Sequence, residues 1–142
     1  MRLVLDTCVL VAAFRSRTGA SRQLINLLIA GDFEAVVNPA LFFEYEDVLG
    51  RDQQIAAHGY TAHEVSTFLE TFAKFTICVP QMHWQVKPRL PDAADELVLE
   101  AAINGFADAI ATFNVKHFLP AAREFGKLVR TPGSIIMSRP NP

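Results

Sequence analysis

Two acidic residues lie where the sequence pattern otherwise predicts an apolar core. Asp6 follows directly on a short apolar run that is typical of a buried strand. Counted at about 100° per residue, Asp95 falls on the same helical face as three apolar residues, Val98, Leu99 and Ala102. A buried carboxylate is destabilising unless it is paired or bound to a cation, so this pattern indicates a metal-binding or catalytic site.

Each of these acids also has a structural alternative. Asp6 could be the N-cap of a helix that begins at Thr7. Asp95 occupies the third position of its predicted helix, where the helix dipole and the free backbone amides could satisfy a carboxylate. The helical face favours a functional role for Asp95, whereas a single Asp at a strand end leaves both alternatives open for Asp6.

Further polar residues fall close to the same predicted positions. Glu44 lies at one edge of the apolar stripe of a predicted helix and Glu46 at the other, so helical periodicity does not choose between them. Thr112 and Asn114 follow the fourth predicted strand and offer a hydroxyl and an amide there. Asn is also common in turns that leave a strand, and that alternative stays open.

The chain alternates predicted strands with predicted helices. We expect strands at residues 2–5, 35–37, 75–79, 109–112 and 127–129, and helices at 21–30, 39–49, 62–72 and 93–104, with a short helix opening at Thr131 and Pro132. Asn38, Thr61 and Asp92 are predicted N-caps, and residues 81–91 a loop. This alternation predicts an α/β fold with a parallel sheet, in which ligands bind at the carboxyl ends of the strands.

The composition indicates one globular domain, which we expect to span residues 1–138 with a tail at 139–142. The chain has 142 residues, 51% hydrophobic and 20% charged, and a net charge of −2 that gives no overall basic surface. Cys8 and Cys78 have no metal-binding spacing and indicate two buried thiols in a reducing compartment. No signal peptide or membrane-spanning run is evident, so we expect a cytoplasmic protein.

The motifs, taken in order, resemble those of the PIN-domain family, which includes the VapC-like toxins of bacterial toxin–antitoxin pairs. Four segments carry the resemblance: residues 3–10 (LVLDTCVL), 39–49 (PALFFEYEDVL), 90–102 (LPDAADELVLEAA) and 107–114 (ADAIATFN). In the second segment the family's acid corresponds to Glu44 rather than Glu46. The similarity covers nearly the whole chain.

This resemblance implies a three-layer α/β/α sandwich around a five-stranded parallel sheet, dependence on Mg²⁺ or Mn²⁺, and hydrolysis of RNA phosphodiester bonds. Asp6, Glu44 and Asp95 would be the metal ligands and, together with Asn114, the catalytic residues. A cognate antitoxin and a homodimer are also implied. Asn114 departs from the pattern because many members carry an acid there. Cys8 replaces an Asn, so we expect a contact that supports Asp6 to be lost.

Other classes of protein fit the sequence less well. A phosphoaspartyl transferase of the haloacid-dehalogenase type needs a second Asp where this chain has Cys8. The absence of GxGxxG after the first strand disfavours a dinucleotide-binding enzyme, and four histidines without metal spacing disfavour a zinc hydrolase. A PIN-like module that binds RNA or protein with little catalysis stays open, because Asn114 contributes no charge.

Two surfaces are candidates for contacts with other molecules. Basic residues are expected to meet the RNA phosphates, with Arg15, Arg17 and Lys116 as the candidates. Residues 69–79 include Phe75 and Ile77 and are more apolar than one small sheet needs. We expect core packing to explain this excess, with a partner surface as the alternative.

Overall fold

Five parallel strands form one sheet at the centre of the molecule. The computed structural model describes residues 1–80 and 90–139. The strands run in the order β3-β2-β1-β4-β5 and every neighbouring pair is parallel. Their bounds are β1 (Arg2–Leu5), β2 (Glu34–Val37), β3 (Thr76–Cys78), β4 (Ala109–Ala111) and β5 (Leu128–Arg130). The predicted α/β fold with a five-stranded parallel sheet is confirmed.

Helices connect the strands and pack around the sheet. They are α1 (Thr7–Arg15), α2 (Ala20–Ile29), α3 (Pro39–Leu49), α4 (Asp52–His58), α5 (Ala62–Lys74), α6 (Ala93–Asn104), α7 (Val115–Glu124) and α8 (Pro132–Met137). Helix α1 packs on α2 and α3, α2 contacts α8, and α3 contacts α6. None of the helices within residues 1–80 and 90–139 is long and apolar enough to span a membrane.

The predicted N-caps are formed in the structure. The Asn38 side chain accepts a hydrogen bond from the Leu41 amide and donates one to the Leu97 carbonyl, which joins α3 to α6. Thr61 and Glu64 form the reciprocal capping box of α5. Asp92 caps α6, whose bounds match the prediction. These bonds fix where α3 and α6, the helices that carry Glu44 and Asp95, begin.

Burial of β1 and the helices beside it defines the core. Leu3, Val4 and Leu5 are at most 1% exposed, as expected for a central strand with both faces covered. The strand order changes direction between β1 and β4, because β2 and β3 lie on one side of β1 and β4 and β5 on the other. In parallel sheets this switch point forms a crevice at the carboxyl ends of the strands, so the topology singles out the ends of β1 and β4.

Three helices were not delimited by the sequence pattern. Helix α1 comes from an almost entirely apolar stretch, so no polar face marks it as helical. Helix α4 has no buried residue, and α7 contains Pro120, a residue that usually ends a helix. Residues 81–89 of the predicted loop and residues 140–142 of the predicted tail lie outside the described residues. Arg139, the first residue of that tail, forms an ion pair with Asp32.

Two expectations about burial are wrong. Cys78 is exposed and Cys8 only partly buried, because Cys78 lies on β3 at the edge of the sheet. Core packing does not explain the whole apolar segment 69–79 either. Its helical residues Leu69 and Phe72 are buried, but Phe75 and Ile77 are 44% and 38% exposed.

Candidate active site

Asp6 lies at the carboxyl end of β1 and is 7% exposed. Its backbone amide donates to the Ala111 carbonyl at 2.9 Å, which continues the β1–β4 pairing one residue past the strand. One carboxylate oxygen, Oδ2, accepts hydrogen bonds from the Thr112 hydroxyl at 2.7 Å and from the Cys8 thiol at 3.2 Å. Asp6 occupies the N-cap position of α1, but its side chain makes no capping bond. The capping alternative for this carboxylate is therefore wrong.

Thr112 fixes the orientation of the Asp6 carboxylate. The Thr112 side chain is fully buried, and its Oγ1 accepts a hydrogen bond from the Asn114 amide at 3.0 Å. The single hydroxyl proton of Thr112 is thus directed to Asp6. The other Asp6 oxygen, Oδ1, accepts no hydrogen bond within the described chain, so it is available to a cation.

Asp95 lies in the first turn of α6, with a side chain that is 13% exposed. The pKa of Asp95 is raised from 3.8 to about 6, chiefly because burial disfavours the charged form. The negative charge of Asp6 is the next cause, and that of Asp92 adds to it. Two carboxylates from different elements therefore repel each other here, an arrangement that a bound cation would relieve.

His117 is the site residue that the sequence did not single out. Its Nδ1 lies 4.0 Å from Asp95 Oδ2, and its charge lowers the pKa of Asp95, against the effects of burial and of Asp6. The side chain is 66% exposed. The available signal was its place in the first turn of the helix that follows β4, because that turn lies at the same edge of the sheet as Asp6.

Cys8 keeps a contact with Asp6 that the sequence led us to expect would be lost. Burial and the charge of Asp6 raise the pKa of the Cys8 thiol to about 11. At neutral pH the sulfur therefore stays protonated and donates to Asp6. The thiol also lies 3.7 Å from Thr112 Oγ1, so Cys8 supports the same carboxylate oxygen as Thr112 does.

Glu44 is partly buried on α3. It does not complete a three-acid metal cluster with Asp6 and Asp95 in residues 1–80 and 90–139. Its helix is nevertheless anchored at the site, because the hydroxyl of the buried Tyr45 donates to the Leu5 carbonyl at 2.5 Å. Burial, followed by the charge of Asp6, raises the Tyr45 pKa well above its ordinary value. The structure thus brings together Asp6 and Asp95, with Glu44 on an adjacent helix.

Asn114 is exposed to solvent and adjoins Thr112, at the edge of the region around Asp6 and Asp95, which is called the acidic pocket below. Its backbone makes the turn-like bond to Thr112, as the turn alternative predicts, and its side chain makes no hydrogen bond within the described chain. The amide is thus free to bind a ligand.

The three predicted phosphate contacts have different surroundings. Arg15 donates to the side chain of Gln54, and the Arg17 guanidinium lies 5.8 Å from the centre of the Tyr60 ring. Both residues follow or end α1, away from its Asp6 end. Lys116 is exposed in the first turn of α7, next to His117 in the chain. Lys116 is therefore the one of the three that lies at the carboxyl edge of the sheet.

The donor set suits a divalent metal ion. Carboxylate oxygens are the ligands that Mg²⁺ prefers, and Asp6 offers an oxygen whose orientation Thr112 fixes. The mutual repulsion of Asp6 and Asp95 adds an electrostatic reason for cation binding. Within the described residues no three His, Cys, Asp or Glu side chains are already arranged around one ion, so the pair is the preformed part of such a site.

Comparison with known families identifies the family of this fold. The PIN-domain family model matches residues 2–116, which is most of the chain and includes Asp6, Glu44, Asp95 and Asn114. The chain belongs to the PIN-domain family. PIN domains are typically metal-dependent nucleases, and the family generally uses divalent metals. Comparisons with curated proteins and with solved structures gave no match. The match ends in the first turn of α7, although β5 beyond it belongs to the same sheet.

Proposed function

We propose that this protein is a Mg²⁺- or Mn²⁺-dependent endoribonuclease that hydrolyses RNA phosphodiester bonds at the Asp6–Asp95 pair. The observation that carries the proposal is the buried Asp6 carboxylate at the switch point of a PIN-domain sheet, where Thr112 orients it and its Oδ1 accepts no hydrogen bond within the described chain. The charge of Asp6 also raises the pKa of Asp95 by more than the exposed His117 lowers it, so like charges dominate there. Such an arrangement is typical of sites that bind a cation.

Each side chain has a role in this proposal. Asp6 and Asp95 hold the ion, and the Thr112 hydroxyl keeps Asp6 turned towards it. When bound, a divalent cation supplies the positive charge that stabilises the phosphate oxyanion and makes water a better nucleophile. Glu44 would move closer to bind metal or to orient the attacking water. Asn114 offers an uncharged amide at the edge of the pocket.

A direct test uses the two acids separately. We expect isothermal titration to detect Mn²⁺ binding to the wild-type chain and little or none to Asp6→Asn. Cleavage of a structured RNA should require the metal and should be lost in Asp95→Asn. Metal-independent cleavage, or cleavage that survives Asp95→Asn, would show that the activity lies elsewhere. Circular dichroism of each variant distinguishes loss of the site from loss of the fold.

The biological role we propose is that of a toxin in a type II toxin–antitoxin pair. The support is the resemblance of the ordered motifs to the VapC-like toxins, together with membership of the PIN-domain family. An antitoxin would then cover the acidic pocket. Expression of the wild-type chain and of Asp6→Asn in a bacterial host provides the test. Growth arrest by the wild type alone supports the toxin role, and equal growth contradicts it.

A homodimer is part of the same proposal. The exposed side chains of Phe75 and Ile77 near the β3 edge supply apolar surface that self-association would bury. Light scattering after size-exclusion chromatography should give the mass of two chains. Replacing Ile77 by Lys should then give the mass of one, because a charge in an apolar interface is strongly unfavourable.

The alternative is a catalytically weak PIN-like module that binds RNA or protein. It is favoured by one observation, the neutral Asn114 where many members carry an acid. Replacing Asn114 by Asp distinguishes the two. If the wild type is already an enzyme, the added carboxylate should tighten Mn²⁺ binding only modestly. If it is a weak module, Asn114→Asp should create metal-dependent cleavage that the wild type lacks.

A further inference from the structure

A basic groove lies beside the acidic pocket and is separate from it. It has a volume of about 410 Å³ and is formed by residues of α7, β5 and the start of α8. Three cationic residues line it, Arg123, Lys127 and Arg130, and no acidic residue is among those that line it. The apolar side chains of Leu119 and Val129 contribute to the rest of the lining. The protein has a net charge of −2, so this concentration of positive charge is local.

The three cations of the basic groove are free to bind an external anion. None of them forms an ion pair with a carboxylate in the part of the chain that the structure describes. By contrast, Arg2, Arg51 and Arg139 all have acidic partners. Because these cations have no carboxylate partner, binding to a polyanion breaks no existing ion pair. The electrostatic attraction to the polyanion is therefore not reduced by such a loss.

Strand pairing connects the basic groove to the acidic pocket. Arg130 lies opposite Ala111 in the β4–β5 register, and its carbonyl accepts a hydrogen bond from the Thr112 amide at 3.0 Å. Thr112 in turn donates to Asp6. Val115, which also lines the groove, directly follows Asn114. The groove therefore begins at the carboxyl edge of the sheet, where Arg130 and Val115 lie. It continues along α7 and β5 towards the amino edge, where Lys127 precedes β5 and Arg123 lies in the last turn of α7.

We propose that the basic groove binds backbone phosphates of an RNA strand whose scissile phosphate lies at the Asp6–Asp95 pair. The proposal rests on the ribonuclease function and names the surface that holds its substrate. An acidic pocket repels a polyanion, so a nearby cationic surface is needed to hold the strand in place. Arg123, Lys127 and Arg130 fit that need. Most of the groove lies beyond residue 116, where the PIN-domain match ends.

The salt dependence of RNA binding tests this directly. The triple variant Arg123→Gln, Lys127→Gln, Arg130→Gln is compared with a control that removes the same charge elsewhere, Arg51→Gln, Lys74→Gln, Arg139→Gln. The ligand is a fluorescent single-stranded oligoribonucleotide in EDTA, which prevents metal-dependent cleavage, and anisotropy is measured at several KCl concentrations. Losing three phosphate contacts should reduce the slope of log K against log salt by about 2, at roughly 0.7 per contact. The control should keep the wild-type slope.

Several outcomes would overturn the proposal. An unchanged slope in the groove variant, an equal change in the control, or no RNA binding by the wild type would each do so. A parallel titration with oligo-glutamate detects the other class of ligand. If the groove variant loses oligo-glutamate binding but keeps RNA binding, the groove serves acidic protein segments instead.

Failure of this inference is distinguishable from failure of the ribonuclease function. RNA cleavage that requires Asp95 but is unaffected in the groove variant overturns the groove and leaves the enzyme intact. Groove-dependent RNA binding without any Asp95-dependent cleavage supports the groove and contradicts the enzyme. Circular dichroism and a urea titration of each variant show that the fold is retained.

Discussion

Charged side chains have opposite surroundings at the two ends of the central strands. At the amino end, Arg2 donates through its backbone amide to Asp108 at 2.7 Å, through Nε to Glu34 at 2.9 Å, and through a second guanidinium nitrogen to the Gly105 carbonyl. At the carboxyl end, Asp6 and Asp95 repel each other, and Asp6 keeps one oxygen without a partner in the described chain.

This difference separates charges that are paired within the fold from charges that, in the proposed function, bind a cation. Around Arg2, each acid meets a donor of this chain, so nothing further is needed. Around Asp6, the donors are the neutral side chains of Thr112 and Cys8, which orient the carboxylate without neutralising it. The proposed cation site therefore rests on how the charges are paired rather than on their number.

Neutralising one acid at each end of the strands should give the largest difference in cleavage rate between two matched variants. Asp6→Asn should lower metal-dependent RNA cleavage about 10³-fold, because a lost ligand removes several kcal/mol of transition-state stabilisation. Asp108→Asn, the matched change at the amino end, should leave the rate within about twofold, because Asp108 lies at the opposite end of the strands from the site. A twofold change is a small energy, since a tenfold change corresponds to ~1.4 kcal/mol. Initial rates at saturating Mn²⁺ measure both. Similar losses in the two variants would contradict the comparison.

Removing the donor that orients Asp6 should have a smaller effect. Thr112→Val deletes the hydroxyl and keeps the shape, and should weaken Mn²⁺ affinity or activity by about 10- to 100-fold. Thr112→Ser restores the hydroxyl and should recover most of the loss. Isothermal titration of Mn²⁺ separates this role from a general loss of stability. If Thr112→Ser is as impaired as Thr112→Val, the hydroxyl is not the reason.

The repulsion at the carboxyl end should be visible as a pH-dependent stability difference. The folded chain holds the Asp95 proton up to about pH 6, whereas the ordinary value is 3.8. The folded state thus binds more protons between these values, and stability falls as pH rises through them. This pKa shift corresponds to a decrease of at most about 3 kcal/mol in the free energy of unfolding, and we expect a decrease of roughly 1 kcal/mol.

Asp95→Asn removes this effect. In EDTA at pH 7 the variant should be more stable than the wild type by that amount, and near pH 3.5 the two should converge. Urea unfolding at both pH values measures the difference. A wild type that is the more stable protein at pH 7 would show that the Asp95 charge is compensated within the chain.

The smallest effect is expected for the exposed ion pair at the amino end. The side chains of Arg2 and Glu34 are 33% and 58% exposed, so solvent screens their attraction. Glu34→Gln should therefore lower the free energy of unfolding by no more than about 0.5 kcal/mol. Urea unfolding should give nearly the same free-energy difference between the wild type and Glu34→Gln in low salt as in high salt. A loss above about 2 kcal/mol would indicate that this pair is worth far more than its exposure allows.

The sequence pattern alone predicted the sheet and singled out one of the two acids of the candidate site, Asp95. Asp95 falls on an apolar helical face, and that periodicity survives in the structure because α6 begins at its predicted cap. Asp6 could not be assigned the same way, since an N-cap and a strand-end ligand look identical in sequence. The structure excludes the side-chain cap, and the hydroxyl that instead binds the Asp6 carboxylate comes from Thr112, 106 residues further along the chain. The role of Asp6 as a metal ligand stays a prediction.

Other parts of the site depended on contacts that no local pattern records. The approach of His117 to Asp95 joins the first turns of two helices that flank β4. Glu44 was distinguished from Glu46 only by resemblance to PIN domains, and its role stays a prediction. The basic groove was missed because its three cations come from α7 and β5 and from the turn between them. They line one cavity only after β5 has paired with β4.

The bond between Thr112 and Asp6 also has a consequence for synthesis of the protein on the ribosome. Strands β1 and β2 are made early and can pair as soon as residue 37 has emerged. The Asp6 carboxylate acquires its orienting hydroxyl only after Thr112 has followed, and Asp95 too is made late. A nascent chain therefore carries Asp6 for most of its synthesis without a finished pocket. If the folded pocket cuts RNA, that activity is delayed until the chain is nearly complete.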